Sequence, residues 1–167
     1  MRLLRFAALW FCVGCASAAQ YPAGRGAAGA AAWPGVPNPQ RAWQDWALNC
    51  QGCHRADGGG SPATAPKLDG EVAKFLWVPG GREYLARVPG IASSPLSDEA
   101  VRQVVNWMLW RFDARDVPAN FSPYTAEEIG RLRAHPMRLE MATLRRRLLR
   151  RVNAVRNRPA GTAIIDR

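Results

Sequence analysis

Residues 50–54 read Cys-Gln-Gly-Cys-His, two thiols and an imidazole within five positions. On a helical turn Cys50, Cys53 and His54 share one face. Two sulfurs so placed can meet the vinyl groups of a porphyrin while the imidazole takes its iron, and C-x-x-C-H is the attachment signature of c-type haem. Two other chemistries use a Cys-x-x-Cys pair. Zinc needs two further ligands, and outside the first eighteen residues the chain has one other histidine, His135, and no other cysteine. A redox dithiol sits between a strand and a helix, whereas this motif follows a Trp-rich helical pattern without a nearby strand signal. The expected cofactor is therefore one haem c, bound covalently through Cys50 and Cys53 with His54 on the metal.

The elements that must position this turn begin just before it. Trp43, Trp46, Ala47 and Cys50 recur at spacings of three and four, which predicts a helix from Arg41 whose stripe ends in the motif. Its indoles are expected to pack on the haem or on a second helix. Downstream, Gly58-Gly59-Gly60-Ser61-Pro62 and Pro66-Lys67-Leu68-Asp69-Gly70 read as loops. A short helix is expected over Arg82 to Val88, stopped by Pro89-Gly90. The clearest helix starts at Ser97, with Asp98 and Glu99 in its first turn and Leu96 and Val101 as a staple. Val101, Val104, Val105, Met108 and Phe112 form its apolar stripe, widened by Trp107, Leu109 and Trp110.

The flanks carry different signals. Arg2 and Arg5, an apolar run from Phe6 to Cys15 and Ala16-Ser17-Ala18 form a secretory signal peptide over residues 1–18. Its apolar run falls short of the roughly 20 residues of a membrane helix. Export to the periplasm follows, with acylation at Cys15 the minor alternative. Residues 19–39, rich in Ala, Gly and Pro, read as a flexible linker, 40–112 as the haem domain, 113–158 as a helical basic extension and 159–167 as a disordered tail. The formal charge of +10 is concentrated late, since residues 131–167 hold eleven arginines against two acids. In the extension Thr125-Ala126-Glu127-Glu128 is a capping box for a helix to about Ala134. A second helix is expected to start at Met137, with Met141, Leu144, Leu148, Val152 and Val155 on one side and Arg145 among the arginines elsewhere. That helix either docks on the core or presents a basic face to an acidic redox partner or an anionic membrane surface. Nucleic acid is not an expected partner of an exported haem protein.

From about Gln40 to Phe112 the chain resembles the class I cytochrome c family: a first helix running into C-x-x-C-H, a Gly-rich loop, a Pro-x-Leu-x-Gly segment and a last helix opening Leu-Ser-Asp-Glu. The resemblance implies a small all-α fold around one haem. It implies that the carbonyl of Pro66, twelve residues beyond His54, accepts the imidazole N–H, and it places Leu68 and Trp46 among the cofactor-binding residues. Family members usually carry a methionine ligand on a loop before the last helix. Here Val88-Pro89-Gly90-Ile91-Ala92-Ser93-Ser94-Pro95-Leu96 has neither Met nor His. Met108 is then the leading candidate for sixth ligand, followed by Met137 and His135, with Met141, Asn106 and Lys74 weaker and an open iron the remaining possibility.

Ligand identity sets both redox potential and access. The expected function is single-electron carriage in the periplasm, with a periplasmic dehydrogenase as one possible donor. The alternatives are a gas-sensing or scavenging haem module and a haem subunit of a dehydrogenase complex. With two histidines, one of them on iron, the chain has few groups from which to build a catalytic site, so an enzyme is not expected.

Overall fold

The computed structural model describes residues 33–62 and 65–158. The leader, the linker as far as residue 32 and the tail 159–167 lie outside the described residues. Helix α1 spans Pro39–Asn49, opened by the Asn38 side chain, which accepts the Arg41 N–H at 2.9 Å, and by a proline in its first turn. It buries Ala42, Asp45 and Trp46, breaks at Cys50, and resumes as the single turn α2, Gln51–His54. A 3-10 turn over Ala73–Trp77 leads to α3, Gly81–Arg87, then to α4, Pro89–Ala92. Helix α5, Asp98–Asp113, is capped by Ser97, whose hydroxyl accepts the Ala100 N–H at 3.2 Å. Helices α6, Ala126–Arg133, and α7, Met141–Arg156, complete the order. Among the described residues there is no strand, only an isolated bridge between Ser61 and Ala65. The fold is all-α, as expected.

Helix α5 is the centre. Its residues Val101, Val104, Val105, Trp107, Met108, Leu109 and Phe112 are all buried, and α1 and α6 pack against it. Trp46 of α1 lies 5.8 Å from Trp107 and 5.0 Å from Phe112, ring centre to ring centre, so its indole meets a second helix, one of the two expected arrangements. The core does not stop at Phe112. Tyr124, Ile129, Met137, Leu148 and Val152 of the extension are buried in the same cluster. About 25 cal/mol per Å² of apolar area makes such burial a main source of stability in a small chain.

Two local expectations give way, and a third holds with an element added. The linker expected to reach residue 39 is packed from Trp33: Val36 is buried, and the carbonyls of Pro34 and Gly35 accept bonds from Trp110 and from Arg102. Pro89 both ends α3 and opens α4, since a proline lacks only an N–H that the first turn does not need. Helix α7 starts at Met141 rather than Met137, and the Met137 N–H donates instead to the Arg87 carbonyl at 2.9 Å, tying the segment before the helix to the end of α3.

Candidate haem site

The motif turn is shaped by backbone bonds. The N–H groups of Cys53 and His54 both donate to the Cys50 carbonyl, and the loop returns so that the Gly60 N–H reaches the His54 carbonyl at 3.0 Å. The loop then brings Pro66 beneath the imidazole. His54 Nδ1 lies 3.1 Å from the Pro66 carbonyl oxygen, twelve residues on. That bond requires the Nδ1–H tautomer, which leaves Nε2 with its lone pair for a metal. Burial lowers the His54 pKa and the Pro66 bond opposes it, the balance favouring the neutral ring that a metal binds.

The cysteines suit thioether formation better than redox exchange. Both are free thiols, Cys50 half-buried and Cys53 exposed. Burial first, then the charges of Asp45 and Cys53, push the Cys50 pKa up to about 11. A reactive dithiol needs the opposite shift. Among the described residues no three of His, Cys, Asp and Glu gather as a metal cluster. Trp46 is buried with its ring 5.8 Å from that of His54, and its indole N–H has no acceptor among the described residues. Buried indole donors usually find a partner, so this one leaves a donor beside His54 for a bound group to use. Cys50, Cys53, His54, Pro66 and Trp46 thus fit a covalently held porphyrin with an oriented axial imidazole.

The other expected site residues are placed less directly. Leu68 is buried in the core, its N–H bonded to the Gly58 carbonyl at 2.8 Å. Met108 is buried on α5, and Met137 is buried where the extension crosses the end of α3. Met141 is half-buried and His135 exposed. Asn106 and Lys74 are committed elsewhere: the Asn106 amide bonds to Tyr124 and to Gly35, and Lys74 pairs with Glu71 at 3.4 Å and Asp116 at 3.9 Å.

Two arginines of the extension have partners that were not read from the sequence. Arg133 of α6 donates to the carbonyls of Ala92, Ser94 and Leu96 and pairs with Asp98 at 2.8 Å, holding the short connection between α4 and α5. Arg145, expected with the solvated arginines, is half-buried with its guanidinium carbon 5.8 Å from the centre of the Phe75 ring. Its position four residues beyond Met141 was the available signal for that inward face.

No family model matches the chain. Cytochrome c-552 of Thermus thermophilus is 35% identical over 119 residues, an alignment covering 60% of this chain and 90% of the relative. A second cytochrome c-552 from the same species is 35% identical over 119 residues, covering 60% of this chain and 80% of the relative. Likeness along nearly the whole of a cytochrome agrees with the Cys50, Cys53 and His54 turn and the Pro66 bond, and the chain belongs to the class I c-type cytochromes, with one covalent haem c.

Proposed function

We propose that the protein is a periplasmic mono-haem electron carrier, its haem joined through Cys50 and Cys53 and its iron held by His54. The observation that carries this reading is the His54 imidazole fixed by Pro66 inside a C-x-x-C-H turn. When bound, haem c supplies a one-electron ferric and ferrous couple. The chain's part is to hold the imidazole in one tautomer, to exclude water with the buried Trp46, Trp107 and Phe112 cluster, and to present a docking face. No described helix is long and apolar enough to cross a membrane. Export rests on the expected leader over residues 1–18.

The exposed arginines of α7, among them Arg146, Arg147 and Arg150, form a basic face for an acidic redox protein such as a dehydrogenase. Such a face steers encounter at low salt. An anionic membrane surface is the competing use. For the sixth position the candidates are Met108 on α5 and Met137 of the extension. The short Val88 to Leu96 connection, which offers neither Met nor His, favours the second reading, a ligand-binding haem module with an open position.

The test begins with exported protein. Pigment should stay on the polypeptide in acidified acetone, with one haem per chain by pyridine haemochrome, and Cys50→Ala with Cys53→Ala should abolish it; pigment lost from the native chain would end the haem reading. Met108→Leu and Met137→Leu then identify the ligand by loss of the red ferric band of thioether coordination. A high-spin iron that binds carbon monoxide in the native protein would favour the ligand-binding module. Arg147→Gln with Arg150→Gln should slow electron delivery from an acidic donor at low ionic strength and leave it unchanged at high. Equal rates in both conditions would exclude the basic face from docking.

A further inference from the structure

One segment joins the His54 imidazole to the far end of α5. It starts at Pro66, whose carbonyl oxygen lies 3.1 Å from His54 Nδ1, and ends at Ala73, whose N–H donates to the Asp113 carboxylate at 2.8 Å. Between these ends the Leu68 N–H bonds to the Gly58 carbonyl at 2.8 Å and the Gly70 N–H to the Phe112 carbonyl at 2.9 Å. Gly58, in the loop after His54, is pressed against the Phe112 ring, where a Cβ would stand 2.7 Å from the nearest ring carbon. A second route runs through side chains: the ring centres of His54 and Trp46 lie 5.8 Å apart, and those of Trp46 and Phe112 5.0 Å. Both routes end at Asp113 or at the residue before it.

Asp113 holds that end from a buried position. The charged groups that face it are Asp116, on the turn after α5, and Lys74 of the 3-10 turn. Lys74 is shared, 3.9 Å from Asp116 and 3.4 Å from Glu71, and the arginines that flank Asp113 in the chain, Arg111 and Arg115, are exposed. One cation beside the carboxylates of Asp113, Asp116 and Glu71 leaves a surplus of negative charge, which a proton relieves. Burial first, then a hydrogen bond and the charge of Asp116, lift the Asp113 pKa to about 7 against the pull of the Ala73 N–H and Lys74.

We propose that Asp113 is a positioning residue of the haem site, binding a proton when the protein is reduced and passing its charge state to His54 through the 66–73 segment. The inference rests on the haem reading above. The balance is one electron to ferric iron and, near the titration of Asp113, a fraction of a proton from solvent to its carboxylate. Coupling between two sites is reciprocal: a carboxylate whose charge favours the ferric state gains affinity for its proton on reduction. A rise in pH therefore ionises Asp113 and lowers the reduction potential, and a fall raises it. The hydrogen bond that orients an axial imidazole and the charge near it are levers by which a protein sets that potential.

The test uses exported holoprotein, native or carrying Asp113→Asn or Asp116→Asn, titrated from about pH 5 to about pH 9. Haem content per chain comes first: if the native protein holds none, the haem reading fails and there is no potential to measure. With haem attached, the native one-electron equilibrium should move about threefold toward ferric, about 28 mV, across an inflection near pH 7. The His54 ring proton in NMR should shift over the same interval. Asp113→Asn should remove both changes and hold the low-pH potential throughout. Asp116→Asn takes away the partner that raises the proton affinity of Asp113, so it should keep the inflection and move it to lower pH, a displacement that a merely structural role would not give. An inflection that survives Asp113→Asn at its native pH and size belongs to another acid, such as a haem propionate, and would overturn the assignment. A native potential that stays level across the titration would overturn it as well.

Discussion

Gly60 shows how little room the motif loop has. Its φ of +67° is a conformation that L side chains rarely adopt, and a Cβ there would stand 2.6 Å from both the Ala65 oxygen and the Pro66 carbonyl carbon. The clash falls on the segment that orients His54. Gly60→Ala should therefore cost about 2 kcal/mol, read as a lower thermal midpoint of the holoprotein, and should disturb the His54 ring proton in NMR. A native-like melt and ring proton would refute this. At this scale the sequence was most informative where the chemistry is local. Cys50, Cys53 and His54 lie within five residues, and the Pro66 contact, expected from a family spacing, lies at 3.1 Å in the structure. Arg145 was not legible, because its environment is supplied by Phe75 and Tyr84, some seventy and sixty positions away.

Among the elements, α5 ties the chain together through one polar side chain in its buried stripe. The Asn106 carbonyl oxygen accepts the Tyr124 N–H at 3.0 Å, and its amide donates to the Tyr124 carbonyl at 3.1 Å and the Gly35 carbonyl at 3.3 Å. It thereby joins the segment before α1 to the one before α6. Asn106→Ala leaves buried backbone groups without partners and should destabilise by about 2–4 kcal/mol, measured by chemical denaturation of the holoprotein. A loss under about 0.5 kcal/mol would mean that water replaces the amide. The caps at Ser97 and Thr125 were readable, since each is a contact three residues long. The start of α7 and the ordering of Trp33 to Asn38 were not, because both depend on partners some fifty to seventy positions away.

For the molecule as a whole, the haem-bearing segment and its extension share one core, and the joint carries a titratable group. Asp113 is buried, its carboxylate accepting the Ala73 N–H at 2.8 Å. Burial, then Asp116, raise its pKa to about 7 against the pull of the Ala73 bond and Lys74. The folded state therefore keeps a proton that the unfolded chain releases above about pH 4. The unfolded state binds fewer protons in that interval, so stability from this group is present at low pH and declines as pH rises toward about 7. Asp113→Asn should flatten the decline and leave the variant more stable than the native protein above pH 7, by denaturant midpoints across pH 4 to 8. A parallel profile for both would remove Asp113 as the cause. Nothing in the linear pattern signalled this group, because aspartate at a helix end ordinarily faces water.

The grip of Arg133 on the carbonyls of Ala92, Ser94 and Leu96 has a corollary. That one guanidinium links α6 to three carbonyls of the crossing between α4 and α5, so a change in the length of the crossing is felt by the extension. Grafting an insertion at this crossing should therefore lower the thermal midpoint of the holoprotein unless the three carbonyls stay within reach of Arg133.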